Sequence, residues 1–144
     1  MKISKKDIDI IKIIWYNLID RWLKSLKHKI NYIIGVIFMK LGILNTSILT
    51  STGMYELQDI TLEQAQDLVH NNDILSAVGH QSTADILTTL LGTTIPMNRI
   101  MFEQQEGQKA LVFKLLGRPE EGKILTQQEI EQIGYKFQLL IRHK

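Results

Sequence analysis

Cysteine is absent from the 144-residue chain. That excludes a disulfide framework, a thiol nucleophile and Cys-ligated zinc, and it suits a reducing compartment, so a cytoplasmic protein is expected. Only two prolines and nine glycines occur, which rules out collagen-like and low-complexity chains. No apolar run approaches the roughly 20 residues that span a bilayer. The uncharged stretch from Ile30 to Met39 holds ten residues and stops at Lys40, with Asn45, Thr46 and Ser47 beyond. The small-residue cleavage site of a signal peptide is missing as well. There is no P-loop, dinucleotide fingerprint, zinc spacing or cluster of Asp, Glu and His, so neither a cofactor nor a metal is expected.

What is present divides near Met39. The net charge of +2 hides an asymmetry, because residues 1–38 carry eight Lys/Arg against three Asp while residues 39–144 carry nine Lys/Arg against twelve Asp/Glu. The first segment has eleven Ile and seven Lys but no Ala, Glu, Gln, Thr or Pro. Ile8, Ile11, Trp15, Leu18, Ile19, Trp22, Leu23 and Leu26 fall at helical spacing, with Lys12, Asp20, Arg21, Lys24 and Lys27 on other faces. That pattern predicts a basic amphipathic helix suited to a membrane surface or a partner groove. The same alphabet is what A/T-rich codons favour, so the alternative is that Met39 is the true start and residues 1–38 are translated upstream sequence.

From Leu41 the chain alternates short apolar runs with Gly, Asn, Thr and charges, which predicts one α/β domain over 39–144 with a mixed sheet flanked by helices. Leu41 to Leu49 reads as a first strand and Met54 to Leu57 as a brief extended piece. Thr61 with Gln64 three residues on is a capping box opening a helix whose stripe is Leu62, Ala65, Leu68 and Val69. A second helix starts near Gly79 to Ser82 and ends at Gly92. Asn98 to Glu103 and Lys109 to Leu116 read as a hairpin around Glu106-Gly107. Thr126 and Glu129 form a second capping box, with Ile130, Ile133 and Phe137 facing inward and Gln138 to Arg142 as a last strand or tail. The domain's net negative charge, without a basic stripe or recognition helix, argues against DNA as a partner.

Four histidines limit the catalytic candidates. His28 and His143 lie in basic surroundings, and His70 at a helix C-terminus complements the dipole. His80 sits between Gly79 and Gln81-Ser82-Thr83 at a helix start, where backbone N–H groups favour an anion. It is read either as a plain cap or as a general acid that becomes charged when a phosphate or carboxylate arrives. Arg99, Arg118 and Arg142 are the domain's arginines. Arg99 and Arg118 lie in loops and suit bidentate phosphate contacts, against the default of exposed solubility residues. Glu120-Glu121 beside Arg118 offers a carboxylate, whose plain role is pairing with that arginine.

The blocks Leu44-Asn45-Thr46-Ser47-Ile48-Leu49, Gly79-His80-Gln81-Ser82-Thr83, Leu91-Gly92-Thr93-Thr94 with Asn98-Arg99, and Gly117-Arg118-Pro119-Glu120-Glu121-Gly122-Lys123-Ile124-Leu125-Thr126 occur in register. The domain resembles the viral anti-CRISPR ring nucleases that destroy cyclic tetra-adenylate, a family also found in bacterial mobile elements and phages. The resemblance covers residues 42 to 142. It implies a homodimer of α/β protomers that holds the cyclic RNA across its interface and cleaves it without metal to linear di-adenylate with 2′,3′-cyclic phosphate ends. It implies His80 as general acid, Glu121 as a carboxylate tied to activity, Arg99 and Arg118 as ligand-holding arginines, and Asn45, Ser47 and Ser82 as polar pocket residues. A non-cleaving sponge or sensor for the same ligand, or a membrane-attached interaction protein, are the alternatives.

Overall fold

A computed structural model describes residues 2–144, and the chain falls into two compact units with the boundary between Phe38 and Met39. The first unit is a single helix, α1 (Lys5–Ile37). Ser4 caps it, its hydroxyl accepting the Asp7 N–H at 3.2 Å while the Asp7 carboxylate accepts the Ser4 N–H at 3.1 Å. One i,i+4 pair, Asp20 with Lys24 at 2.8 Å, lies on its exposed surface. No helix among the described residues is long and apolar enough to cross a membrane.

The second unit runs β1 (Leu41–Leu44), β2 (Tyr55–Ile60), α2 (Leu62–Asn71), β3 (Ile74–Ser76), α3 (Gln81–Leu91), β4 (Lys109–Leu115), α4 (Gln127–Ile133) and β5 (Tyr135–Arg142). The five strands form one mixed sheet in the order β2-β5-β4-β1-β3. β1 pairs in parallel with both β3 and β4, whereas β5 runs antiparallel to β4 and β2. A central parallel strand is covered on both faces, and all four residues of β1 are accordingly buried.

One sheet face presents Ile43, Leu111, Phe113 and Phe137 to Ala65, Val69, Ala84, Leu87, Leu91 and Ile130 of the helices, and this is the main core. Both capping boxes form as the spacing predicts, Thr61 with Gln64 and Thr126 with Glu129. Gly92 closes α3 in the left-handed region at φ 66°, its N–H bonded to Thr88 O. The other face presents Leu44, Ala110, Val112 and Leu140 to Phe102, Tyr55 and Ala77. Phe102 lies so close over Gly42 that a Cβ there would come within 2.6 Å of the ring tip. The loops over this face are tied by the Gln104 N–H donating to Thr50 Oγ1 at 2.9 Å.

Three expectations need correction. The first strand ends at Leu44 rather than Leu49, because the chain bends at Asn45-Thr46 and leaves Ile48 and Leu49 exposed. The Asn98 to Glu103 strand does not form. The turn at Glu106-Gly107 exists, but β4 has β1 on one side and β5 on the other, so no edge is left for a hairpin partner. Phe137 belongs to β5 rather than to the preceding helix, since Gly134 at φ 84° ends α4 first.

Candidate functional site

The three parallel strands direct their carboxyl ends to one side of the sheet, where ligands bind in open α/β sheets. Asn45 and Thr46 leave β1 there, the Ala77–His80 loop leaves β3, and Gly117-Arg118-Pro119 leaves β4. These loops and the first turn of α3 line a cleft of about 790 Å³. Asn45, Thr46, His80, Ser82, Thr83 and Arg118 supply its polar wall, and Ile86, Phe113 and Leu115 its apolar floor.

His80 is the N-cap residue of α3, extended at φ −125° and ψ 130°, and its side chain makes no capping hydrogen bond. The imidazole therefore leaves the first-turn N–H groups of α3 uncapped. The first N–H of the helix to find a backbone carbonyl is that of Ala84, on His80 O at 3.1 Å, which leaves the N–H groups of the first turn to an incoming acceptor. An exposed imidazole, a helix N-terminus and the Arg118 guanidinium thus share one cleft, a combination suited to a phosphate.

The loop that presents His80 is held from outside by residues 96–99. The hydroxyl of buried Ser76 donates to Pro96 O at 2.6 Å and accepts the Val78 N–H at 3.3 Å. Asn98 donates its backbone N–H to Val78 O and its amide Nδ2 to Ser76 O, both at 2.8 Å. Arg99 Nε donates to Gly79 O at 2.8 Å. Three carbonyls leading up to His80 are fixed in this way. The sequence motifs contain Asn98 but give no hint that it acts as a strap, and Ser76 lies outside them.

Of the residues singled out from sequence, Asn45, His80, Ser82 and Arg118 meet in the cleft. Arg99 does not line it but grips the peptide just before His80. Ser47 and Glu121 are exposed and outside the lining, Glu121 in the loop between β4 and α4. Arg118 also borders a second hollow of about 320 Å³ with Pro119, Glu120, Lys123, Leu125 and Glu129. There Lys123 pairs with Glu129 at 2.6 Å. That bond first, and the Thr126 N–H second, hold the Glu129 carboxyl down at about 2. The remaining histidines lie elsewhere: His28 on α1, exposed His70 in the last turn of α2, and His143 paired with Glu56 at 2.9 Å. Among the described residues no group of three or more His, Asp or Glu is placed to hold a metal ion.

Fold and cleft together define an α/β protein with a polar-walled cleft at the carboxyl ends of its parallel strands. The chain belongs to the STIV B116-like family, whose family model matches residues 41–137. It is 39% identical over 106 residues to YddF of Bacillus subtilis (strain 168), covering 72% of this chain and 98% of that protein. It is 45% identical over 83 residues to protein 26 of Sulfolobus islandicus filamentous virus, covering 57% and 70%. Among solved structures, B116 of Sulfolobus turreted icosahedral virus superposes with a TM-score of 0.61 at 26% identity, covering 72% of this chain and 99% of that one. The relatives are thus both viral and bacterial, and the helix α1 lies outside the matched residues.

Proposed function

We propose that the domain is a ring nuclease that opens cyclic tetra-adenylate, and so switches off type III CRISPR effectors. One observation carries the reading: the His80 ring stands at a helix N-terminus, is not spent on capping, and shares a cleft with Arg118. A phosphodiester placed on the first-turn N–H groups puts its leaving oxygen beside that ring. The substrate's 2′-oxygen forms a bond to phosphorus, the P–O5′ bond breaks, and His80 delivers a proton to O5′. The attacking hydroxyl releases its proton to solvent. Arg118 balances the charge that grows on the phosphoryl oxygens, and Asn45 and Ser82 are placed to hold ribose or phosphate oxygens. Arg99 acts as a positioning residue through Gly79. Glu121, exposed in the β4–α4 loop and outside the cleft lining, remains the candidate carboxylate tied to activity through the attacking 2′-hydroxyl.

A four-membered ring has two-fold symmetry, and a homodimer with the same symmetry offers one His80 to each of two opposite phosphates. The loops over the second sheet face support such pairing, because they carry Ile48, Leu49, Met54, Met97, Ile100 and Met101 exposed, Met101 fully. The test is incubation with cyclic tri-, tetra- and hexa-adenylate in EDTA, followed by mass analysis of the ends. Di-adenylate with 2′,3′-cyclic phosphate is expected from the tetramer. Intact ligand that stays bound makes the protein a sponge, and turnover restored only by a divalent ion refutes the metal-free scheme.

A further inference from the structure

The surface of helix α1 is patterned along most of its length. Ile8, Ile11, Trp15, Leu18, Trp22, Leu26, Ile30 and Ile33 follow one another at steps of three or four residues and fall within an arc of about 120°. All are exposed, Trp15 and Trp22 at 62% and 63%. The opposite side carries most of the charge, with Lys6, Asp20, Arg21, Lys24 and Lys27, and Ile10 and Ile13 stand among them. A face of this size on a helix that forms a compact unit by itself calls for an occupant.

The pattern selects which one. The stripe steps by 3.5 residues only from Ile8 to Trp22; the four-residue steps from Trp22 to Leu26 and Ile30 then leave the repeat that a two-stranded coiled coil needs and keep the stripe along one straight side of the helix. Continuing the heptad set by Ile8, Ile11, Trp15, Leu18 and Trp22 puts Ser25 and Lys29 in the seam, so a second copy of α1 is a poor fit. A straight stripe suits a flat surface. The excess of Lys/Arg over Asp in residues 1–38, eight against three, gives that surface a sign. Lys29, inside the apolar arc, can extend its ammonium to a headgroup while its stem stays among the chains. No window of the helix is apolar enough to cross a bilayer.

We propose that α1 lies in the plane of an anionic lipid surface, with Trp15 and Trp22 at the level of the acyl boundary and the Lys/Arg face among the headgroups. This binding is independent of the nuclease reading. The two tryptophans of the chain are both on α1, so intrinsic tryptophan emission reports this helix alone. The full chain is titrated with phosphatidylglycerol/phosphatidylcholine vesicles and with phosphatidylcholine vesicles at low salt. A blue shift and co-flotation with the anionic vesicles, at least about tenfold weaker on the neutral ones, is the expected result. Lys24→Glu with Lys27→Glu should cut anionic binding about tenfold or more, and Leu18→Ser should weaken it while cyclic oligoadenylate turnover stays unchanged. Absence of a shift on anionic vesicles overturns the proposal. So does equal binding to both vesicle types, and so does a blue shift without lipid that tracks self-association in sedimentation.

Discussion

The strap under His80 makes a quantitative prediction for Ser76→Ala. Ser76 is 3% exposed, and its hydroxyl is at once the donor to Pro96 O and the acceptor for the Val78 N–H. Alanine removes one oxygen atom and creates almost no cavity, so the cost is that of two backbone groups losing their partner. Val78 is fully buried and water cannot replace the bond. A buried group left in this state costs about 1–3 kcal/mol. Amide exchange at Val78 should therefore quicken about 5- to 150-fold, and the urea midpoint should fall with an unchanged slope. Val69→Ala on α2 is the control, because it trims buried side-chain volume by a comparable energy without touching the strap. Ser76→Ala should lower cleavage of cyclic tetra-adenylate at least about tenfold under conditions where both variants are folded, since a small shift of a catalytic group is costly. Equal cleavage by the two variants, or a Val78 amide that exchanges as in the parent, would refute the reasoning.

His80→Ala should bind the ring and cleave it about 10²- to 10⁴-fold more slowly, the contribution of a positioned general acid; wild-type turnover removes His80 from the mechanism. Glu129 has its carboxyl held at about 2, against an ordinary value near 4.5. The stability it contributes is present above that ordinary value and is lost as pH falls toward 2, so melting temperatures of wild type and Glu129→Gln should converge in that window. Gly92→Ala meets no atom within 4 Å and must still adopt φ 66°, so a loss of about 1–2 kcal/mol measured by denaturant melts isolates backbone strain from packing.

The parts of the fold legible in the sequence are those written in short chain intervals. Thr61 with Gln64, Thr126 with Glu129, and Gly92 at the end of α3 each satisfy backbone groups within four residues, and all three behave as read. The errors fall where distant chain decides. Whether Asn98 to Glu103 becomes a strand depends on whether β4 has a free edge, and that edge is taken by β5, more than 20 residues later. β3 went unread because three residues, Ile74–Ser76, carry no period. The cleft follows the same rule: His80 and Arg118 stand in recognisable blocks, whereas the strap consists of side chains bonded to carbonyls 20 and 22 residues away.

The strap also explains how α3 can begin with a histidine. Thr61 and Thr126 show what this chain uses where a helix start is only structural, a hydroxyl that accepts the N3 N–H. At α3 that device is absent, and the stability forgone is compensated by Asn98 and Arg99, which hold the preceding carbonyls, and by the Ser76 hydroxyl, which accepts the Val78 N–H, all without occupying the imidazole or the first-turn N–H groups. His80→Ser supplies the missing acceptor to Thr83 N–H from a backbone already extended. It should raise stability by about 0.5–1.5 kcal/mol, the ordinary worth of an N-cap, while cleavage falls as in His80→Ala. Opposite signs for stability and activity at one residue are what a site kept open for a ligand requires. A His80→Ser protein less stable than its parent would mean that the imidazole holds α3 in place, and the helix start would then be structural after all.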